Sequence, residues 1–249
     1  MHTEVLTADQ LAVLEALKRL DGPRGFYLAG GTALALRHGH RRSVDFDFFR
    51  PDPFDGRLLV AEVDGAVEHM KLLPSGPETV YVRLRGVTTS FFRYRYPLLE
   101  PAEPTPWGFG LASDRDIAAM KLEAVAGRGA RRDFVDLRIL CLRGLRLEDA
   151  FEAFDRKYGA SRTDHYHRLR ALAYFEDAES EPMPDMTAPF DWEEAKRFFA
   201  GEAARLLRRG IACGDASSPD RGTRDRRPTG GSRHGHPGKG RPRRSRGAR

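Results

Sequence analysis

Apolar and acidic residues alternate along residues 44–49, and this alternation constrains the fold more than any other feature of the chain. A period of two is the period of a β-strand, whose successive side chains point to opposite faces. The segment therefore predicts a strand in which Val44 begins an apolar face, continued by two phenylalanines, while Asp45 and Asp47 share the other face.

The acidic face of this strand has two interpretations. Two carboxylates this close repel each other, and a divalent cation bound between them would remove the repulsion. Magnesium suits such oxygen ligands, because it binds proteins through one or two carboxylates together with substrate phosphates. The alternative is a solvent-facing acidic pair on an edge strand, which would be the preferred interpretation of an isolated Asp-x-Asp.

A second motif, Gly30-Gly31-Thr32, favours the metal-binding interpretation. The run Gly25–Ala29 predicts a short strand and Gly30–His38 predicts a helix, so the glycines lie at a strand-to-helix junction. Small residues there let backbone N–H groups and the positive end of the helix approach phosphate groups. A lone Gly-Gly would indicate only a tight turn. Together with the acidic strand, it indicates a site for a nucleotide and Mg²⁺.

The hydrophobic pattern changes along the chain. Residues 1–110 mix helix and strand signals, with further strands near 67–73, 79–85 and 87–96, and a capping box at Thr7–Gln10 opens the first helix. Residues 111–209 show helical periodicity. An α/β half followed by a helical half predicts an α+β architecture. The helices predicted in the second half are Asp114 to about Ala126, Arg131–Cys141, Leu147–Tyr158, 164–176 and Trp192–Arg208.

The last segment, residues 210–249, is rich in Gly, Pro, Ser and Arg. Its eleven Lys or Arg against three Asp give it a charge of +8, so residues 1–209 carry about −2 of the total of +6. Such a composition cannot bury enough apolar surface to offset the entropy of ordering. We therefore predict a disordered basic tail, which is either an arm that attracts RNA or, as we favour, a solvated extension without a role.

Cysteine content and hydropathy bear on the compartment. Cys141 and Cys213 cannot form a disulfide framework, and the chain contains no CxxC, which predicts a reducing environment. No apolar run approaches the roughly 18 residues needed to span a bilayer, and the first residues lack the features of a signal peptide. We therefore expect a cytoplasmic protein with no membrane partner.

These motifs resemble the signature of the nucleotidyltransferase superfamily, in which a hydrophobic residue and Gly-Gly or Gly-Ser precede Asp-hydrophobic-Asp. More closely, the chain resembles the AbiEii/AbiGii toxin family over about residues 1–209. The matching segments are Gly30–Thr32, Gly39–Phe49, Phe92–Leu99, and a helical segment that contains Asp116-Ile117, Lys121 and Arg131–Leu137.

The resemblance implies a minimal polymerase-β-like fold, a mixed sheet with helices followed by a helical half. It implies Mg²⁺-dependent transfer of a nucleotide from an NTP to RNA, in particular tRNA, by the toxin of a toxin–antitoxin or phage-defence pair, with a cognate antitoxin as partner. By position, the implied catalytic residues are Asp45, Asp47, Lys121 and Asp133, of which Asp45 and Asp47 bind the metal. The implied NTP-binding residues are Gly30, Gly31, Thr32, Arg41, Ser43 and Asp136.

One position departs from the superfamily pattern. Many nucleotidyltransferases place a third carboxylate on a later strand, where this chain has Ser90. The attacking hydroxyl is then activated by the metal alone or by Asp133. Other interpretations stay open. Lys121 could be a solvated helix lysine, and Asp133 and Asp136 could be surface partners of nearby arginines, with only one of them functional. The protein could also transfer a nucleotide to a small molecule such as an aminoglycoside, or be a non-catalytic module that binds nucleotide or RNA.

Overall fold

The computed structural model of the protein describes residues 1–76, 78–159 and 162–210, so the predicted tail lies outside the described residues apart from Gly210. No helix in these ranges is long and apolar enough to cross a membrane. The strands are β1 (Tyr27–Ala29), β2 (Phe46–Arg50), β3 (Met70–Leu72), β4 (Thr79–Leu84), β5 (Val87–Arg93), β6 (Glu103–Pro104) and β7 (Gly110–Leu111). The helices are α1 (Ala8–Leu17), α2 (Gly30–His38), α3 (Gly56–Ala66), α4 (Asp114–Arg128), α5 (Arg131–Leu142), α6 (Leu147–Tyr158), α7 (Arg162–Ala171), α8 (Glu176–Ser180) and α9 (Trp192–Arg208).

One mixed sheet holds these strands in the order β3-β4-β5-β2-β1-β7-β6. Strand β2 lies near its centre, antiparallel to β1 and parallel to β5. The register places Asp47 of β2 between Ala29 of β1 and Ser90 of β5. Because α2 begins directly after Ala29, the acidic strand and the Gly-Gly turn come together in space.

Aromatic packing fixes which face of β2 is turned inward. Phe46 and Phe48 are fully buried, and the Phe48 ring stacks on Phe91 of β5 with the ring centroids 5.1 Å apart. Asp47 alternates with these rings and therefore points to the opposite face. The prediction that Val44 extends the apolar face was wrong, because β2 begins at Phe46 and Val44 is 73% exposed.

The segment before β2 leaves the sheet because side chains bind its backbone. Gln10 Nε2 donates to the Ser43 carbonyl at 2.6 Å, and the Thr32 hydroxyl donates to the Asp45 carbonyl. These carbonyls are satisfied outside the strand ladder. Asp45 consequently lies just beyond the strand and is exposed, whereas Asp47 is half-buried within it.

The helical half is organised around α4, which packs against α5, α6 and α7 and also against α2 of the first half. Ser113 caps α4 as predicted, since its hydroxyl accepts from the Asp116 N–H at 3.1 Å. Gly129 ends the helix at φ +60°, a conformation that favours glycine. The capping box at Thr7–Gln10, the bounds of α6 and α9, and the α+β architecture are confirmed.

Two parts of the helix prediction were wrong. Helix α3 was not predicted; Asp55 begins the helix by accepting from the N–H groups of Arg57 and Leu58. The helix predicted over 164–176 ends at Ala171, where the chain tightens into a turn with a bond from the Tyr174 N–H to the Ala171 carbonyl. The short helix α8 follows this turn.

Candidate active site

The Gly-Gly turn requires both of its glycines. Gly30 has φ +68°, and a Cβ there would lie 3.2 Å from Asp47 Oδ2. A Cβ on Gly31 would lie only 2.1 Å from Arg41 Nη2. Ala29, the residue before α2, makes no side-chain cap to the helix. The first N–H groups of α2 can therefore face an anion.

The two carboxylates of the acidic strand differ in environment. Burial and the charge of Asp45 raise the pKa of Asp47, while a hydrogen bond from Ser90 and the charges of Lys121 and Arg128 act in the opposite direction. A cation bound here would relieve the cost of holding Asp47 ionised. The described residues contain no group of three or more potential metal ligands, so the fit is to a cation that takes two carboxylates and completes its shell with substrate phosphates and water.

Asp136 is the centre of a buried ion-pair cluster. It is fully buried and accepts a two-pronged interaction from Arg41, with Nε 2.7 Å from Oδ1 and Nη2 2.9 Å from Oδ2. Lys121 Nζ lies 2.6 Å from its Oδ2, and His40 Nε2 lies 2.9 Å from its Oδ1. Both Arg41 and His40 follow α2, so Asp136 joins the loop beside the Gly-Gly turn to helix α5.

Asp133 carries the cluster toward the acidic strand. It is also fully buried, and its Oδ1 lies 2.9 Å from Lys121 Nζ. Arg128 binds both of its oxygens, with Nε at 2.7 Å and Nη2 at 2.9 Å. The Arg128 side chain is 55% exposed, unlike the other cations of the cluster. Its charge acts to lower the pKa of Asp47, so Arg128 is a solvent-exposed cation that acts on the acidic strand.

The protonation states of the cluster follow from its charges. Burial alone would raise the pKa of Asp136, but Lys121 and Arg41 hold that pKa well below its usual range. The pKa of Asp133 is also lowered, since Lys121 and Arg128 outweigh its burial. Burial lowers the pKa of His40 despite its contact with Asp136. At neutral pH both aspartates are therefore ionised and His40 is neutral, so three cations face two carboxylates.

A segment from the helical half holds the loop that carries Arg41. The Arg42 N–H donates to the Asp185 carbonyl at 2.8 Å, and the Thr187 N–H donates to the His40 carbonyl at 3.1 Å. Arg41 itself pairs as an isolated bridge with Met186. These backbone contacts link residues far apart in sequence, and no local motif predicts them.

Asp116, which lies in a segment of the family resemblance, belongs to a second buried ion pair. It lies 2.7 Å from Lys157 Nζ, and both side chains are fully buried. Ser113 Oγ donates to it at 2.8 Å, and the Leu99 N–H donates at 3.0 Å. These contacts tie the loop after β5 to helices α4 and α6, and they support the fold outside the cluster around Asp136.

The structure thus brings together the residues predicted from sequence. Ser43 lies over the turn, with its hydroxyl 3.2 Å from where a Gly31 Cβ would be. Lys121 is 5% exposed, so it is not a solvated helix lysine, and Asp133 and Asp136 are not surface partners of nearby arginines. Arg41 pairs with Asp136. Sequence reasoning missed His40 as a partner of Asp136 and missed Arg128, because an arginine in the last turn of a helix is common for electrostatic reasons alone.

In the mixed sheet, β1, the Gly-Gly turn and α2 lie beside the acidic strand β2. This arrangement is typical of the nucleotidyltransferase class. The family described as nucleotidyl transferase AbiEii toxin, type IV toxin–antitoxin system, matches residues 12–106 and 110–209. The chain belongs to this family, and the protein is therefore a nucleotidyltransferase toxin of a type IV toxin–antitoxin system.

The chain is similar to two further proteins. An uncharacterized protein of Aquifex aeolicus (strain VF5) is 40% identical over 206 residues, which cover 81% of this chain and 98% of that protein. MenT4, a nucleotidyltransferase toxin of Mycobacterium tuberculosis H37Rv, superimposes with a TM-score of 0.54 at 20% identity. The superposition covers 82% of this chain and 85% of MenT4, and it shows a shared fold.

Proposed function

We propose that the protein transfers a nucleotide from an NTP to an RNA acceptor, with tRNA as the acceptor class that the family resemblance implies. The observation that carries this proposal is the position of Asp47. It lies beside the first turn of α2, and the charges of Lys121 and Arg128 act to lower its pKa. A triphosphate at this position would meet helix N–H groups and cations together.

The reaction has a simple balance. An acceptor hydroxyl oxygen forms a bond to the α-phosphorus of the NTP, the bond from that phosphorus to the bridging oxygen breaks, and pyrophosphate leaves with the electron pair. The hydroxyl proton passes to solvent. Gly30, Gly31 and Thr32 bind the phosphates, with Ser43 beside the turn, and Arg128 stabilises the charge that develops on the departing pyrophosphate.

Asp45 and Asp47 would hold Mg²⁺ in this scheme. The chemistry that a bound Mg²⁺ supplies is neutralisation of phosphate charge and orientation of the attacking and leaving oxygens. Asp133 serves as a positioning residue and not as the base, because its two ion pairs lower its pKa and make it a weak proton acceptor. Asp136, which pairs with Arg41, is also a positioning residue: it holds Lys121 from farther inside the protein.

Asparagine variants of the acidic pair test the proposal. Asp45→Asn and Asp47→Asn keep side-chain shape and remove one charge each, so both should abolish transfer while the fold persists. Each protein is incubated with labelled NTPs, Mg²⁺ and total RNA, and the products are resolved on a gel alongside a pyrophosphate assay. Asp52→Asn, which changes an exposed aspartate in the loop after β2, is the matched control and should remain active.

The outcomes separate the candidate functions. Wild-type transfer to RNA that both site variants lose supports the proposal. Label that appears only on an added aminoglycoside would show that the acceptor is a small molecule and not RNA. Nucleotide binding without pyrophosphate release under any acceptor would indicate a non-catalytic module. A cognate antitoxin belongs to the same proposal, and its co-expression should relieve growth arrest caused by the wild-type protein.

A further inference from the structure

A groove on the helical half opens next to Arg128. It is a cavity of about 420 Å³ where the end of α4 meets α7 and the turn that follows, within the volume range of small-ligand sites. Its lining includes Arg128, Tyr166, His167, Arg170, Tyr174 and Asp177. We call this cavity the tyrosine groove.

The aromatic residues of the tyrosine groove are open to a ligand. Tyr166 is 50% exposed and Tyr174 is 49% exposed, although buried aromatic surface would be more stable. The Arg170 guanidinium lies 5.9 Å from the centroid of the Tyr166 ring. Within the described ranges Arg170 has no carboxylate partner, so its charge is available to an anion. Exposed rings interleaved with arginines are the chemistry that binds unpaired bases and the phosphates between them.

Arg128 connects the groove to the ion-pair cluster around Asp133. Arg128 lines the groove, and the same side chain binds Asp133. Its charge acts on Asp47, the carboxylate beside the Gly-Gly turn. In the proposed reaction Arg128 acts on the departing pyrophosphate, so a nucleic acid in the tyrosine groove would lie beside the reacting NTP.

We propose that the tyrosine groove binds the single-stranded end of the RNA acceptor, with bases stacked on Tyr166 and Tyr174 and phosphates bound by Arg170. This inference rests on the proposed function for the identity of the acceptor. It adds a substrate site on the helical half and predicts that a duplex, whose bases are already stacked, is the poorer ligand.

Binding of RNA in the absence of NTP tests the groove independently of catalysis. Fluorescence anisotropy with the full chain compares a labelled single-stranded 12-mer RNA with its duplex. Tyr166→Ala and Tyr174→Ala should each weaken single-strand binding about tenfold, since stacking of a base on an aromatic ring contributes an effect of this size. Tyr166→Phe keeps the ring and should bind like wild type. Arg57→Ala removes an exposed arginine of α3, outside the groove, and should also leave binding unchanged.

Kinetics give the second readout. The two alanine variants should raise KM for RNA and leave KM for the NTP unchanged. Equal RNA affinity in wild type and both variants would refute the proposed role of the groove. A rise in KM for the NTP alone would also refute it, because the groove would then bind the base of the NTP. Tyrosine-dependent RNA binding without any transfer would support the groove while refuting the proposed function. Transfer to RNA at full efficiency in both variants would support the proposed function while refuting the groove.

Discussion

Replacement of Asp136 by asparagine should destabilise the protein far more than the same change at Asp133. Asp136 is fully buried and neutralises two buried cations, Arg41 and Lys121. Asparagine leaves both charges inside with Asp133 as the remaining carboxylate, and removal of one partner from a buried ion pair costs about 3–5 kcal/mol. Asp133→Asn releases Arg128, which is half-exposed and can turn to water, while Lys121 keeps Asp136. That change should cost about 1–3 kcal/mol.

Thermal unfolding followed by circular dichroism measures this difference at pH 7. For a protein of this size the Asp136→Asn midpoint should fall by about 6–20 °C. The pH dependence gives a further check. Because the fold lowers the pKa of Asp136, its stabilisation is complete above about pH 4, the ordinary carboxyl range, and is lost as pH falls below it. The gap between wild type and Asp136→Asn should therefore shrink in acid. Equal midpoint shifts for the two variants, or a gap that widens in acid, would refute the reasoning.

Three other predictions address the metal pair, the exposed cation and the tail. In EDTA, Asp47→Asn should raise the unfolding midpoint, because the raised pKa of Asp47 means that its ionised form costs stability at neutral pH; an unchanged or lower midpoint contradicts this. Arg128→Ala should reduce kcat at least about tenfold, because one cation that acts on developing charge is lost, and should lower the midpoint modestly, because the buried Asp133 loses two hydrogen bonds but keeps Lys121; wild-type kcat would remove Arg128 from the mechanism. Deletion of 211–249 should leave the midpoint and transfer to a short RNA unchanged, because that composition builds no core; an unfolded product would place the domain boundary elsewhere.

The acidic strand and the Gly-Gly turn could be predicted from sequence because their signals are local. Alternation over a few residues fixes the face of Asp47 relative to Phe46 and Phe48, and the glycines mark a junction that few other residues can form. The same locality explains the error at Val44. Its neighbours are withdrawn from the sheet by Gln10 and Thr32, and contacts across such sequence separations leave no periodic pattern.

The ion-pair cluster shows what local patterns cannot provide. Asp133, Asp136 and their neighbouring arginines have the spacing of an ordinary solvated helix face, and the spacing alone favours surface pairs. Their burial depends on α5 packing against α2 and on the segment around Asp185 holding the loop that carries Arg41. Only the family resemblance predicted that these aspartates belong to the site.

The cluster also explains how two halves of different architecture can form one site. Asp136 and Asp133 neutralise cations from both halves, so Arg41 beside the Gly-Gly turn and Arg128 beside the tyrosine groove are positioned through one connected set of carboxylates. A buried network of this kind contributes little net stability, but removal of one partner from it is strongly destabilising. Displacement of α5 from α2 would expose unpaired charge and separate the Gly-Gly turn from the cations of the cluster in the same step. The aspartates of α5 therefore make correct packing of the helical half a condition for assembling the site.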